Sequence, residues 1–322
     1  MFLLWQSGDF VVHYALRIAS LYGITTLFSG FAIMAVASGL PELAVAFSAI
    51  LSGVSQLSVA NIIGSNLVAL TLVLGLIAAI GGPIFVGAFD YSNIIMMYVI
   101  ALLAMVSVFF IGTIGKIYGV LLVVGYLVTL WLIWFLKLAP RGDAQEIGGS
   151  KKRKTTLSVD MVRQTLPESV WSSKLGVLVL FSVAMSALLV SAQLVVWIAA
   201  SMCTYLTWRL ESLGATVLAV GTSLADLSVA ASAIRRKEYM LVLGNAFGSV
   251  LVQGVLILGL QGVFSQKPLD IVPLRSVAPF MLVAFAVIGY GLIKRKKINR
   301  IDGIMLLVVF CLFIGYEFIW MR

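Results

Sequence analysis

The stretch GFAIMAVASGLPELAVAFSAI at residues 30–50, with NIIGSNLVALTLVLGL at 61–76, decides how this chain is read. It recurs without a gap 184 positions later, as GATVLAVGTSLADLSVAASAI at 214–234 and NAFGSVLVQGVLILGL at 245–260. About 20 of the 47 aligned pairs are identical, far above chance even for two apolar segments. Each copy carries one carboxylate deep in apolar sequence, Glu42 and Asp226, and the two align. Between the motifs, Leu51-Ser52-Gly53 aligns with Arg235-Arg236-Lys237. An uncharged loop matched to a triply basic one is what oppositely inserted copies show, because cytoplasmic loops concentrate Lys and Arg. Inverted repeats of this kind mark secondary transporters and place their sites near the bilayer midplane.

Composition agrees with a membrane setting. Hydrophobic residues make up 61% of the 322 and charged residues 11%, against about 25% charged in soluble domains. Mean hydropathy is +1.11. The length holds about ten spans of roughly 20 residues, and the N-terminal MFLLWQSGD, lacking a basic n-region, reads as the first span rather than a signal peptide. Cys203 and Cys311 sit in or beside apolar runs and are expected as buried free thiols. The net charge of +9 resides in loops, where it orients the protein and does not imply nucleic acid.

Apolar runs bounded by charge or by Gly/Pro/Asn/Ser clusters give spans at about 2–21, 24–51, 57–80, 92–112, 116–137, 175–206, 212–234, 239–263, 276–293 and 302–320. The expected fold is an all-α polytopic membrane protein, ten transmembrane helices in two inverted five-helix repeats. Residues 1–138 form the first repeat, 139–173 a basic cytoplasmic linker containing KKRK (151–154), and 174–322 the second repeat. With the linker inside, 17 of the 22 Lys/Arg face the cytoplasm; only Lys116, Arg209, Lys267, Arg275 and Arg322 face out. Both termini are then extracytoplasmic, and the expected location is the plasma (inner) membrane. Trp131, Trp134 and Trp320 read as interfacial anchors.

Within each copy the apolar run breaks at a small, polar patch: Ala37-Ser38-Gly39-Leu40-Pro41-Glu42 and Gly221-Thr222-Ser223-Leu224-Ala225-Asp226. The following spans carry Asn61-Ile62-Ile63-Gly64-Ser65-Asn66 and Gly244-Asn245-Ala246-Phe247-Gly248-Ser249. Pro41 removes a backbone donor and frees a carbonyl upstream. Such backbone is tolerated at membrane depth only where protein or a water-filled cavity satisfies it. Carbonyls, hydroxyls and a carboxylate together form an all-oxygen environment suited to Na⁺ or Ca²⁺. Ser, Gly and Asn in membrane helices also serve packing alone, but that reading fails for the two acids together. A charge at bilayer depth costs roughly 3 kcal/mol or more, and 11 of the 13 Asp/Glu avoid it by lying in loops or near span ends. Glu42 and Asp226 do not, and no Lys or Arg is placed to meet them; a cation is the missing partner. His13, the only histidine, is expected to pack or edge a pore. Without H-E-x-x-H or G-x-S-x-G, no enzyme chemistry is expected.

GTSLAD and its degenerate partner ASGLPE, each followed about 20 residues later by Asn-x-x-Gly-Ser, resemble the alpha-repeats of the cation/calcium antiporter superfamily, which contains the sodium/calcium exchangers. The resemblance implies ten helices around one mid-membrane cation-binding region, with the first and sixth helices sliding across the rest to switch access. It implies as ligands the acids Glu42 and Asp226 and the hydroxyls of Ser38, Thr222, Ser223, Ser65 and Ser249. It also implies the carbonyls of Ala35 and Ala219, with Asn66 kept from the family pattern where Val250 is not. The chain departs from that pattern at Gly39 (usually serine), Ala225 (usually proline), and at Ala69 and Gln253, where Asn or Asp is usual. Gln253 offers a neutral oxygen and Ala69 none, which leaves selectivity and stoichiometry open.

Two carboxylates in one low-dielectric cavity do not both stay charged and dry. One Ca²⁺, two Na⁺ or protons neutralise them, and if only neutralised states switch sides, one ion returns for another to leave. The expected function is cation antiport: Na⁺/Ca²⁺ exchange first, H⁺/cation exchange as the alternative. A non-transporting scaffold with an inert site is the third reading. No cofactor is expected beyond the transported Ca²⁺ and Na⁺ or H⁺, and no partner beyond inorganic cations and membrane lipid.

Overall fold

The computed structural model describes residues 10–11, 14, 17–18, 39–51, 55–86, 88–135, 175–187, 190, 210–235 and 239–320. Long apolar runs become helices because only a backbone bonded to itself tolerates the bilayer core. In chain order the helices are α1 (Leu40–Leu51), α2 (Ser55–Gly81), α3 (Ala88–Ile111), α4 (Lys116–Phe135) and α5 (Leu175–Ala187). They are followed by α6 (Glu211–Arg235), α7 (residues 239–264), α8 (Val277–Arg295) and α9 (Arg300–Trp320). Six helical stretches among the described residues are long and apolar enough to cross a membrane: Ser55–Gly81, Tyr91–Ile111, Glu211–Arg235, Val242–Phe264, Val277–Arg295 and Arg300–Ile319. Pro41 of α1 and Pro279 of α8 sit in first turns, where the missing N–H costs no helical bond. Seven of the expected spans thus have helical counterparts. The span at 2–21 is described only at five positions, and much of 24–51 and 175–206, with the whole linker, lies outside the described residues.

Short strands, absent from the all-α expectation, join the helix ends. β1 (Ile84–Phe85) pairs antiparallel with β4 (Lys297–Ile298), and β2 (Thr113–Ile114) with β3 (Leu269–Asp270). The repeat offset exchanges these ladders: β2 and β4 are 184 residues apart and β1 and β3 are 185 apart. Gly112 (φ 75) and Lys296 (φ 52), also 184 apart, take left-handed conformations just before β2 and β4. Helix α3 leaves the β1 end and reaches β2, whereas its equivalent α8 leaves the β3 end and reaches β4. Since β1 lies against β4 and β2 against β3, the equivalent helices run in opposite directions.

Close glycine contacts hold the bundle, as expected where lipid supplies no hydrophobic drive. A Cβ on Gly119 of α4 would fall 2.7 Å from the Gly259 carbonyl oxygen of α7, and one on Gly303 of α9 would fall 2.7 Å from that of Gly75 in α2. These two contacts, Gly119 with Gly259 and Gly303 with Gly75, are also equivalent at the same offset. At the β1–β4 face, Arg295 pairs with Asp302, whose other oxygen accepts the Asn299 N–H at 2.7 Å. Asp302 and Glu317 are buried near span ends, but each has a partner: Arg295 for the first, the Ser276 hydroxyl (3.3 Å) for the second. Cys311 corrects the expectation of a buried thiol. It is free but exposed on α9, because hydropathy does not distinguish a lipid-facing position from a core one. Cys203 lies outside the described residues.

Candidate functional site

Both acids occupy the same local structure. Glu42 lies in the first turn of α1, directly after the turn residue Gly39, whose carbonyl accepts the Leu43 N–H at 2.9 Å. Asp226 lies in the first turn of the half of α6 that follows the turn residue Ser223. Glu42 is fully buried and Asp226 is 3% exposed. They lie within electrostatic reach of each other, with the Thr222 hydroxyl beside Glu42.

Helix α2 crosses the first half of α6 at close range. A Cβ on Gly64 would overlap the Ala215 backbone, and one on Gly214 would fall 2.7 Å from the Leu57 carbonyl oxygen. That approach brings Ser65 Oγ to 3.0 Å from Thr222 Oγ1 and 3.5 Å from the Ala219 carbonyl. Thr222 Oγ1 is also 3.2 Å from the Ala219 carbonyl and 3.3 Å from Asn61 Oδ1. On α7, Asn245 Nδ2 donates to Asp226 Oδ1 at 3.0 Å. Ser249 and Gln253, at fourfold spacing after Asn245, are fully buried. Asn66 Nδ2 meets Met105 Sδ of α3 at 3.5 Å and lies against Gly254.

Of the residues singled out from sequence, Ser65, Thr222 and the Ala219 carbonyl therefore come together, with Glu42 beside Thr222. Asn66, Ser223, Ser249 and Gln253 are buried on the same helices, and Ser38 and Ala35 lie outside the described residues. Asn61 and Asn245 were not singled out as site residues, yet they bond Thr222 and Asp226. Their signal was the first letter of Asn-x-x-Gly-Ser, which recurs in both copies. Nothing in the sequence pointed to Met105.

Both oxygens of Glu42, Ser223 Oγ, Asn66 Oδ1, Asn245 Oδ1 and Gln253 Oε1 are buried without a hydrogen-bond partner among the described residues. Each such group costs about 1–3 kcal/mol if left so. Asn61 Nδ2 and Gln253 Nε2 are likewise buried without a partner among the described residues; carboxylate, hydroxyl and amide oxygens are the ligand types a hard cation takes. Among the described residues no three His, Cys, Asp or Glu cluster.

Membrane-length helices packed through glycine contacts around a buried polar centre define an integral multi-pass membrane protein. The sodium/calcium exchanger protein family matches residues 1–135 and 176–319, and the chain belongs to that family of antiporters. The chain is 26% identical over 298 residues to inner membrane protein YrbG of Escherichia coli, covering 92% of this chain and 87% of the relative. It is 26% identical over 323 residues to the putative antiporter CaxA of Alkalimonas amylolytica, covering 98% and 94%. Among solved structures, the sodium-calcium exchanger NCX_Mj soaked with 2.5 mM Na⁺ and 1 mM Sr²⁺ superposes with a TM-score of 0.74. The identity there is 26%, over 98% of this chain and 94% of that one.

Proposed function

We propose that this antiporter exchanges Na⁺ for Ca²⁺ by alternating access, at a mid-membrane site built on Glu42 and Asp226. The observation that carries the reading is the pair of acids, buried at equivalent positions of the two copies beside acceptor oxygens that have no partner among the described residues. Two carboxylates balance one Ca²⁺ or two Na⁺, and an unbalanced pair is costly to occlude. Ser38, Ser65, Asn66, Thr222, Ser223, Ser249 and Gln253 are the supporting ligands, with the carbonyls of Ala35 and Ala219. Ten spans in two inverted repeats, 1–138 and 174–322, frame the site. The opposite directions of α3 and α8 and the exchange of the two ladders support that architecture. Linker 139–173 and the β1–β4 face, which holds the Lys294–Arg300 cluster, are cytoplasmic; the β2–β3 face and both termini are extracytoplasmic, in the plasma membrane.

The test is radioactive Ca²⁺ flux in proteoliposomes with an imposed Na⁺ gradient. Wild-type protein is expected to drive Ca²⁺ uptake, and Glu42→Gln and Asp226→Asn each to eliminate it while still inserting. H⁺/cation exchange is the second reading, favoured by neutral Gln253. Only two carboxylates remain, and protons discharge them as well as a dication does. Flux driven by a pH gradient and indifferent to Na⁺ establishes that reading instead.

A further inference from the structure

The offset that makes the halves alike also shows where they differ. Asn61 and Ser65 of α2 have Asn245 and Ser249 as equivalents on α7. Ser58, however, is matched by Val242, and Gln261 by Ile77. Ser58 (0% exposed) and Gln261 (1%) are buried, and Gln261 Nε2 donates to Ser58 Oγ at 2.5 Å. Gln261 Oε1 has no partner among the described residues. Ile77 and Val242 are equally buried and apolar.

The polar pair belongs to the β2–β3 side. α7 ends at Phe264, just before β3, and Gln56 near the start of α2 donates to the Asp270 carbonyl of β3 at 2.6 Å. Ile77 and Val242 belong to the opposite side, near the end of α2 and the start of α7.

Both polar residues share the stripe that holds the central site. Ser58, Asn61 and Ser65 follow the i, i+3, i+7 spacing of one helix face. Gln261 stands twelve residues after Ser249, which in a regular helix turns it about 120° away. The π segment Val252–Ile257 lies between them. One extra residue in that turn brings Gln261 back to about 20° from Ser249. Along α2, Ser58 is about 10 Å outward of Ser65.

We propose that Gln261 and Ser58 form a way-station for the monovalent coupling cation on the extracytoplasmic route to the central site. The proposal rests on the reading of the protein as a Na⁺-coupled antiporter. A buried amide oxygen without a donor is costly, and a partly dehydrated cation satisfies it. Ser58 Oγ keeps a lone pair after accepting from Gln261. Two neutral oxygens lack the charge and number that Ca²⁺ demands, so the station serves Na⁺. The cytoplasmic half, with Ile77 and Val242 in these places, has no such step.

The experiment uses the full chain in proteoliposomes of one orientation, with initial exchange rates read against Na⁺ added on either side. Gln261→Met keeps the volume and removes the amide. It should raise the external half-saturating Na⁺ about fivefold, the loss expected for one neutral oxygen, and hold the maximal rate and the internal Na⁺ dependence. Ser58→Ala should act in the same direction. Ile77→Gln with Val242→Ser should lower the internal half-saturating Na⁺. Unchanged external Na⁺ dependence in Gln261→Met and Ser58→Ala, or equal shifts on both sides as a packing defect gives, overturns the way-station. Absence of Na⁺-driven flux in the wild type is a different result and removes the antiport reading itself.

Discussion

Ser65 Oγ and Thr222 Oγ1 lie 3.0 Å apart, the first from the second motif of the N-terminal copy and the second from the first motif of the C-terminal copy. The centre is therefore shared between the halves. Thr222 has one hydroxyl hydrogen, and Ser65 Oγ, Asn61 Oδ1 and the Ala219 carbonyl lie within its reach, with the Glu42 carboxylate beside it. Thr222→Val keeps the shape and removes the hydroxyl. The expected result is a rise of about fivefold or more in half-saturating Ca²⁺ for flux, reversed in Thr222→Ser.

Asn245 Nδ2 donates to Asp226 Oδ1 at 3.0 Å. Partners that orient a ligand typically govern about 10–100-fold in affinity. Asn245→Ala is expected to weaken cation dependence within that range, and to have little added effect in an Asp226→Asn background. Cation binding to the purified proteins across the four-member cycle measures the coupling; additive effects would place Asn245 outside the site.

Gln253 is fully buried with both amide atoms unpartnered among the described residues, and Ala69 is its equivalent on α2. Gln253→Asp supplies a third carboxylate and should lower half-saturating Ca²⁺ about tenfold, because affinity follows ligand charge. It should also introduce proton competition as pH falls. Ala69→Asn, adding one neutral oxygen, should help less. Ca²⁺ titrations of flux at two pH values check both.

The three atoms nearest to the position of the missing Cβ of Gly64 all belong to the Ala215 backbone, which cannot swing aside as a side-chain tip can. Gly64→Ala is expected to destabilise the fold by about 1–3 kcal/mol or more, read as a lower melting temperature in detergent. Gly125, whose Cβ would meet nothing within 4 Å among the described residues, should accept alanine without loss.

Orientation is testable at described loop residues. In a background lacking Cys203 and Cys311, Gln266→Cys, exposed beside β3, should react with an impermeant thiol reagent on intact cells. Lys294→Cys, exposed at the β1–β4 face, should react only after permeabilisation. The opposite pattern would reverse the assignment of faces, and equal labelling would overturn the inverted arrangement.

The repeat, the two acids and the Asn-x-x-Gly-Ser step were legible because identity at a fixed offset survives in a single sequence. Helices at 57–80 and 276–293 were equally plain, since hydropathy alone defines a long apolar run. The π segments Ala69–Val73 and Val252–Ile257 were not: they sit at equivalent places just past Ser65 and Ser249, but an extra residue per turn leaves no mark in composition. For the same reason Gln261 and Ser58, 203 residues apart, gave no sign of meeting. The exposure of Cys311 was hidden because lipid and protein interior favour the same residues. The ladders were hidden because two-residue strands are shorter than any alternation pattern.

Those ladders constrain how the molecule moves. Each joins the first half of the chain to the second, one at either membrane face, so α3 and α8 are laced together top and bottom. Rocking the halves apart as rigid bodies would tear backbone bonds at whichever face opened, and would do so on every cycle. The lacing makes α3 and α8 a stator. Both ladders stay intact through opening only if helices slide within that frame, and protein split inside the linker should stay joined at both rims rather than fall into two separately mobile halves.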